Sequence, residues 1–168
     1  MSARLLPGAR EARTLMESVW DYPRPPRVEP VTRRLRVVFG GVTIAETIRG
    51  FRVLETSHPP TYYFPPDDVV QRCLRMTARV SYCEFKGKAT YWTAVVDDRI
   101  AEDAAWSYAE PPRAFDQIRN CVAFYASAMD ACFVGEEQVT AQPGDFYGGW
   151  ITSEIQGPFK GGPGTGGW

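Results

Sequence analysis

Residues 83–108 read CEFKGKATYWTAVVDDRIAEDAAWSY. Lys86-Gly87-Lys88 forms a turn, and the chain runs from it into a strand carrying Tyr91 and Trp92. A second strand carries Trp106 and Tyr108, and Pro111-Pro112 ends it. Short runs of aromatic and β-branched residues joined by tight turns predict antiparallel sheet.

The same pattern extends outward on both sides. Leu35–Phe39 and Val42–Glu46 flank Gly40-Gly41, which predicts a two-residue hairpin. On its strands Leu35, Val37 and Phe39 are expected to share one face, and Val42 with Ile44 another. Phe51–Glu55 and Tyr62-Tyr63-Phe64 predict two more strands, separated by His58-Pro59-Pro60. Pro65-Pro66-Asp67-Asp68 predicts a helix start capped by Asp, giving one short helix over Asp67–Leu74. A helical turn is expected at Phe115–Ile118 and closing strands at Val122–Tyr125 and Ala131–Val134. Three regions follow: an arm over 1–33, a β domain over 34–141, and a tail over 142–168. The tail holds most of the 15 glycines together with Phe146, Tyr147, Trp150, Phe159 and Trp168. Such a composition builds no core of its own, so the tail is expected to wrap the domain or cross a subunit boundary.

At 168 residues and 44% hydrophobic content the chain suits one domain with extensions. A net charge of −1 gives no field to recruit nucleic acid, and no apolar run approaches the length of a membrane helix. A cytoplasmic protein with no nucleic-acid or membrane partner is expected. Cys73, Cys83, Cys121 and Cys132 form no C-x-x-C pair, and His58 is the single histidine. Structural zinc needs paired ligands, so free thiols, no metal and no cofactor are expected.

The chain resembles the bacterial family known as domain of unknown function 427. The resemblance is carried by RVVFGGVTIAET (36–47), VLETSHPPTYYFPPDDV (53–69), CEFKGKATYW (83–92), AWSYAEPP (105–112) and VAFYASAMD (122–130). SVWDYPRPP (18–26) and FYGGWITSEIQGPFKG (146–161) look like segments of longer members. The resemblance implies a mainly β fold: a compact antiparallel β-tent-like domain of two small sheets with one short helix. Several β-tent domains bind zinc through paired cysteines, which this chain lacks. Others bind small cyclic ligands in an aromatic cage. The family also carries a nucleotidyltransferase label, but no Gly-Ser pair with a following Asp-x-Asp stands in the sequence.

The candidate site follows from spacing. Tyr62 or Tyr63, Tyr91 or Trp92, and Trp106 or Tyr108 each reach one side of their strand. One aromatic from each pair is expected to line a common pocket, with Lys86 or Lys88 at its rim to meet an acceptor group. The first reading is therefore a domain that binds a small molecule. A second is a small enzyme centred on Cys83, whose thiol the nearby lysines would activate. A third is a structural protein that forms a homodimer through arm and tail. Asp67-Asp68 and Asp97-Asp98 are read as a cap and a turn, and Arg34 and Arg36 as a solvated strand face. Purified protein is expected to carry well under one zinc per chain by elemental analysis, and unfolding without reductant should expose all four thiols to a thiol reagent.

Overall fold

The computed structural model describes residues 16–168. Leu15 and the arginines of the first part of the arm lie outside the described residues. The fold is mainly antiparallel β, in several small sheets. Strands β1 (Glu17–Ser18), β2 (Arg27–Val31), β3 (Leu35–Phe39), β4 (Val42–Thr47), β5 (Gly50–Leu54) and β6 (Thr61–Tyr63) come first. The long strands β7 (Leu74–Cys83), β8 (Gly87–Val96) and β9 (Arg99–Ser107) follow. After them come β10 (Val122–Phe124), β11 (Ala131–Val134), β12 (Glu137–Gln138) and β13 (Thr140–Ala141), then β14 (Trp150–Ile151) and β15 (Ile155–Gln156).

Two four-stranded sheets form the body, ordered β12-β11-β3-β4 and β10-β9-β8-β7. A three-stranded sheet, β2-β5-β6, is stitched to β10 by the reciprocal bonds of Phe64 and Val122, each 2.8 Å. The predicted hairpin is present: Gly40 and Gly41 sit at φ 62° and 76°, values that favour glycine and suit the twist of paired strands. Leu35, Val37 and Phe39 are all buried on one face. Val42 departs from the expectation. It adjoins the turn and is exposed, while a bulge opposite Val37 and Val38 lets Ile44 and Ala45 both turn inward.

The helical stretch expected over Asp67–Leu74 is present as two single 3₁₀ turns, Pro66–Asp68 and Gln71–Cys73. The chain becomes strand again at Leu74. Asp68 does not cap its turn. Its carboxylate accepts from the Thr47 hydroxyl at 2.6 Å and from Arg49 at 3.0 and 3.1 Å, fixing the turn to the end of β4 instead.

Alternation along β8, β9 and β10 gives that sheet two apolar faces. Val122 and Phe124 enter a first core with Leu35, Val37, Ile44, Phe64 and Trp150. Ala123 enters a second cluster with Tyr63, Tyr91, Trp106, Tyr108, Phe115 and Ile118. The tail does not hang free. Trp150 is fully buried in the first core, donates its indole N–H to the Phe124 carbonyl at 3.0 Å, and lies 5.2 Å from the Tyr62 ring. Strand β15 pairs in parallel with β1, and Ile155 packs with Val19, Tyr22 and Leu54 in a third cluster. Arg33 clasps Glu154 through both guanidinium nitrogens, at 3.2 and 2.9 Å.

Arg52 on β5 ties the arm to the sheet. It donates to Glu29 on β2 at 2.6 Å and to Glu17 on β1 at 2.8 and 3.1 Å. Burial pushes the Glu17 carboxyl up, but hydrogen bonds from Arg52 and Tyr22 more than reverse this and leave it below its ordinary value.

The burial of Trp150 predicts that part of the tail behaves as core. Trp150→Ala is expected to lower the free energy of unfolding by about 3–5 kcal/mol. Phe146→Ala, at an exposed tail position, should change it by roughly 0.5 kcal/mol or less. Urea denaturation of the two variants measures the contrast.

Candidate functional site

The register of β8 against β9 sets Tyr91 opposite Trp106. Both face away from the first core, and Tyr108 follows two residues later on the same side. Tyr63, the last residue of β6, meets them from the three-stranded sheet. These four aromatics wall a cavity of about 380 Å³. Tyr91 is anchored by a 2.9 Å hydrogen bond between its hydroxyl and Ser81 on β7. Burial, above all else, raises the hydroxyl pKa of both Tyr63 and Tyr108, so these phenols stay protonated.

Each expected pair sends one member elsewhere or brings both together, as strand geometry dictates. Tyr63 reaches the cavity, whereas Tyr62 faces the first core beside Trp150. Tyr91 reaches it, whereas Trp92 packs toward the first core and donates to the Ser107 hydroxyl at 2.9 Å. Trp106 and Tyr108 both reach it, being two residues apart. Lys86 turns in and is buried, whereas Lys88 pairs across the hairpin with Tyr82, and both are exposed. Gly87 between the lysines stands at φ 90°, and that turn sends them to different sides. Cys83 is half-buried in the wall. Among the described residues no group hydrogen-bonds its thiol, and no set of three His, Cys, Asp or Glu is placed to hold a metal.

The roof comes from the tail. Gly148 lies flat on Trp106: a Cβ there would sit 2.2 Å from the indole ring. A Cβ on Gly149 would sit 2.5 Å from the Pro59 carbonyl. Only glycine permits both approaches. Tyr125 donates to the Phe146 carbonyl at 2.7 Å, which holds the Phe146-Tyr147 segment over the opening. Tyr147 stands edge-on to the His58 ring at 4.7 Å between centres.

His58 is where sequence reasoning missed most. It stands at the end of a turn, where its amide donates to the Glu55 carbonyl at 3.0 Å, and its ring is buried in the cavity wall. Gln142 holds it. The Gln142 amide oxygen accepts from Gly149 N–H at 2.9 Å, so its NH₂ faces His58 Nδ1 at 3.1 Å and the Lys160 carbonyl at 2.8 Å. An NH₂ needs an acceptor, so Nδ1 carries no proton and the neutral ring is protonated on Nε2. Burial first, then the positive charges of Lys160, Arg24 and Lys86, pulls the His58 pKa down to about 4. Glu55 lies 3.8 Å from Nε2 but is shared with Arg24 at 3.5 Å, which weakens any opposing effect. One signal for this role was present in the sequence. A single histidine precedes two prolines, and a glycine pair lies in an aromatic tail.

A histidine buried in its neutral form makes stability depend on pH. The folded value near 4 lies below the unfolded value of 6.5, so the unfolded chain binds the proton more tightly. The contribution is complete above about pH 6.5 and is lost as pH falls toward 4. The loss is on the order of 3 kcal/mol from that shift. Urea titrations at steps from pH 7 to pH 4 are expected to show wild type losing this much more stability than His58→Gln, in which every other titrating group remains.

A family model described as Domain of unknown function (DUF427) matches residues 27–135, more than half of the chain. A comparison with curated proteins finds no match. The matched region contains the cavity's floor and walls, with Tyr63, Lys86, Tyr91, Trp106 and Tyr108. The roof, with Gln142, Tyr147, Gly148 and Lys160, lies beyond it. The chain belongs to the family described as Domain of unknown function (DUF427).

Proposed function

We propose that the protein binds a small molecule in the cavity between β6, β8, β9 and the tail. The observation that carries this reading is the cavity itself. At about 380 Å³ it falls within the range of small-ligand sites. Its walls are aromatic, and a few polar groups converge on it: Lys86, His58 and the hydroxyls of Tyr63, Tyr91 and Tyr108. A flat ring would stack on Trp106 or Tyr108, while the polar groups fix its orientation. The glycine contact at Trp106 supports the reading too, because the roof is fitted to the wall without filling the space below it.

The reading includes a cytoplasmic setting, supported by four free cysteines, which persist in a reducing compartment. Among the described residues no helix is long and apolar enough to cross a membrane. An enzyme centred on Cys83 has less support, since activation of a thiol needs a neighbouring base or cation in contact with it. A homodimer through arm and tail has less support as well. Val19, Trp150 and Ile155 are covered within one chain, which leaves such an interface the exposed Trp20, Phe146 and Tyr147.

Ligand-observed NMR with indole, 2-naphthamide and 2-naphthoate tests the proposal. At least one compound is expected to show saturation transfer from the wild-type protein. The transfer should vanish with Cys83→Phe, whose added ring occupies the cavity, while circular dichroism shows the fold retained. No transfer to any compound, or transfer unchanged by Cys83→Phe, would overturn the proposal.

A further inference from the structure

Lys86 is more than nine-tenths buried, with its side chain in the cavity wall and its Nζ 5.8 Å from the centre of the Tyr108 ring. A buried ammonium normally has a carboxylate partner. Among the described residues, every ion pair within 4.0 Å is made by an arginine or by His58, and none by Lys86. The two carboxylates on the cavity wall do not serve it. Glu55 is engaged by Arg24, and Glu84 is exposed on the turn.

A second cation lies on the same wall. Lys160 donates from Nζ to the backbone oxygen of Trp168 at 3.0 Å and sits 5.4 Å from the Tyr147 ring centre. Of the three cations on the wall, Arg24 is met by Glu55 and Lys160 by the Trp168 oxygen, whereas Lys86 has no partner at short range among the described residues. The Tyr108 face offsets part of the Lys86 desolvation, but a ring quadrupole is weaker than a carboxylate. What the cavity lacks is one negative charge near Lys86, beside a surface made for a flat ring.

We infer that the ligand class is a planar aromatic or cyclic acid, whose carboxylate or similar anionic group pairs with Lys86 while its ring stacks within the aromatic wall. The inference rests on the small-molecule reading above and adds the charge and shape of the ligand. An anion there would accept charge-assisted hydrogen bonds in a site partly shielded from water, where such bonds are strongest. A cationic ligand would be repelled by the same three groups. A neutral ligand would leave Lys86 desolvated and unpaired, and so would bind more weakly than its acid of equal shape.

Two probes separate the charge from the shape: 2-naphthoate and 2-naphthamide differ only in whether the polar group is an anion. Isothermal titration at pH 7.5 and low salt is expected to give about tenfold or tighter binding for the acid. Lys86→Met should weaken binding of the acid far more than that of the amide and so erase the preference. Lys86→Arg should keep the preference, which a merely structural role for Lys86 would not require. Thermal melting checks that both variants fold, and Lys160→Met provides a second route to a weaker acid preference should Lys86→Met fail to fold. Equal affinity for the two probes would overturn the inference and leave the small-molecule reading standing. An acid preference that survives both lysine-to-methionine changes would also overturn it. No binding of either probe would remove the reading on which the inference depends.

Discussion

The indole of Trp150 holds the two halves of the molecule together. It is the largest of the fully buried side chains, and its N–H reaches the carbonyl of Phe124, a residue of the central sheet. A Trp N–H buried without an acceptor would cost about 1–3 kcal/mol, so this bond helps to set the position of β14. Backbone bonding agrees with it: the Trp150 amide donates to Pro60 at 2.8 Å. Once Trp150 is seated, Gly148 and Gly149 are fixed against Trp106 and Pro59, and Gln142 is fixed against His58. The cavity roof is thus a by-product of completing the first core. A change at Trp150 acts on both stability and the site, even though Trp150 does not touch the cavity.

The arm is held by a different force. Arg52 is half-buried and shared between Glu17 and Glu29, with Tyr22 adding a hydrogen bond to Glu17. Such pairs add little when exposed and more when their remaining lone pairs are satisfied. Here the carboxylates meet the guanidinium along its edge, so the geometry favours the second case. The apolar residues beneath, Val19, Leu54 and Ile155, join first arm, sheet and tail in one small cluster.

The sequence made the central hairpins legible because their signals are local. Gly40-Gly41 and Gly87 demand backbone conformations that few residues adopt, and the strands around them alternate. Alternation also explains how the site was read. It decided that Tyr62 and Tyr63 would part company, and likewise Tyr91 and Trp92, but not which of each pair faced the cavity. That choice depends on which sheet covers which face, a tertiary fact. The helical stretch over Asp67–Leu74 stays short for a related reason. A proline and two aspartates signal a helix start, yet tertiary pairing of Leu74 with Ala94 returns the chain to sheet after two single 3₁₀ turns. His58, Gln142 and Lys160 were missed because their contacts span large sequence separations; His58 and Gln142 stand 84 residues apart. No window of sequence contains both.

The late position of Trp150 has a consequence for the order in which the molecule is made. Strands β3 to β11 supply most of the first core, and all of them have left the ribosome before residue 150. The slot beside Phe64, Phe124 and Tyr62 stays open until residue 150 emerges, and β1 has no strand to pair with until β15 follows. Contacts of such long sequence separation form slowly. The nascent chain therefore passes through an interval with an aromatic groove exposed to solvent, in which apolar surface is open to other chains and to chaperones. The hairpins govern early order, and the tail, which also stabilises the finished protein, determines when exposure ends.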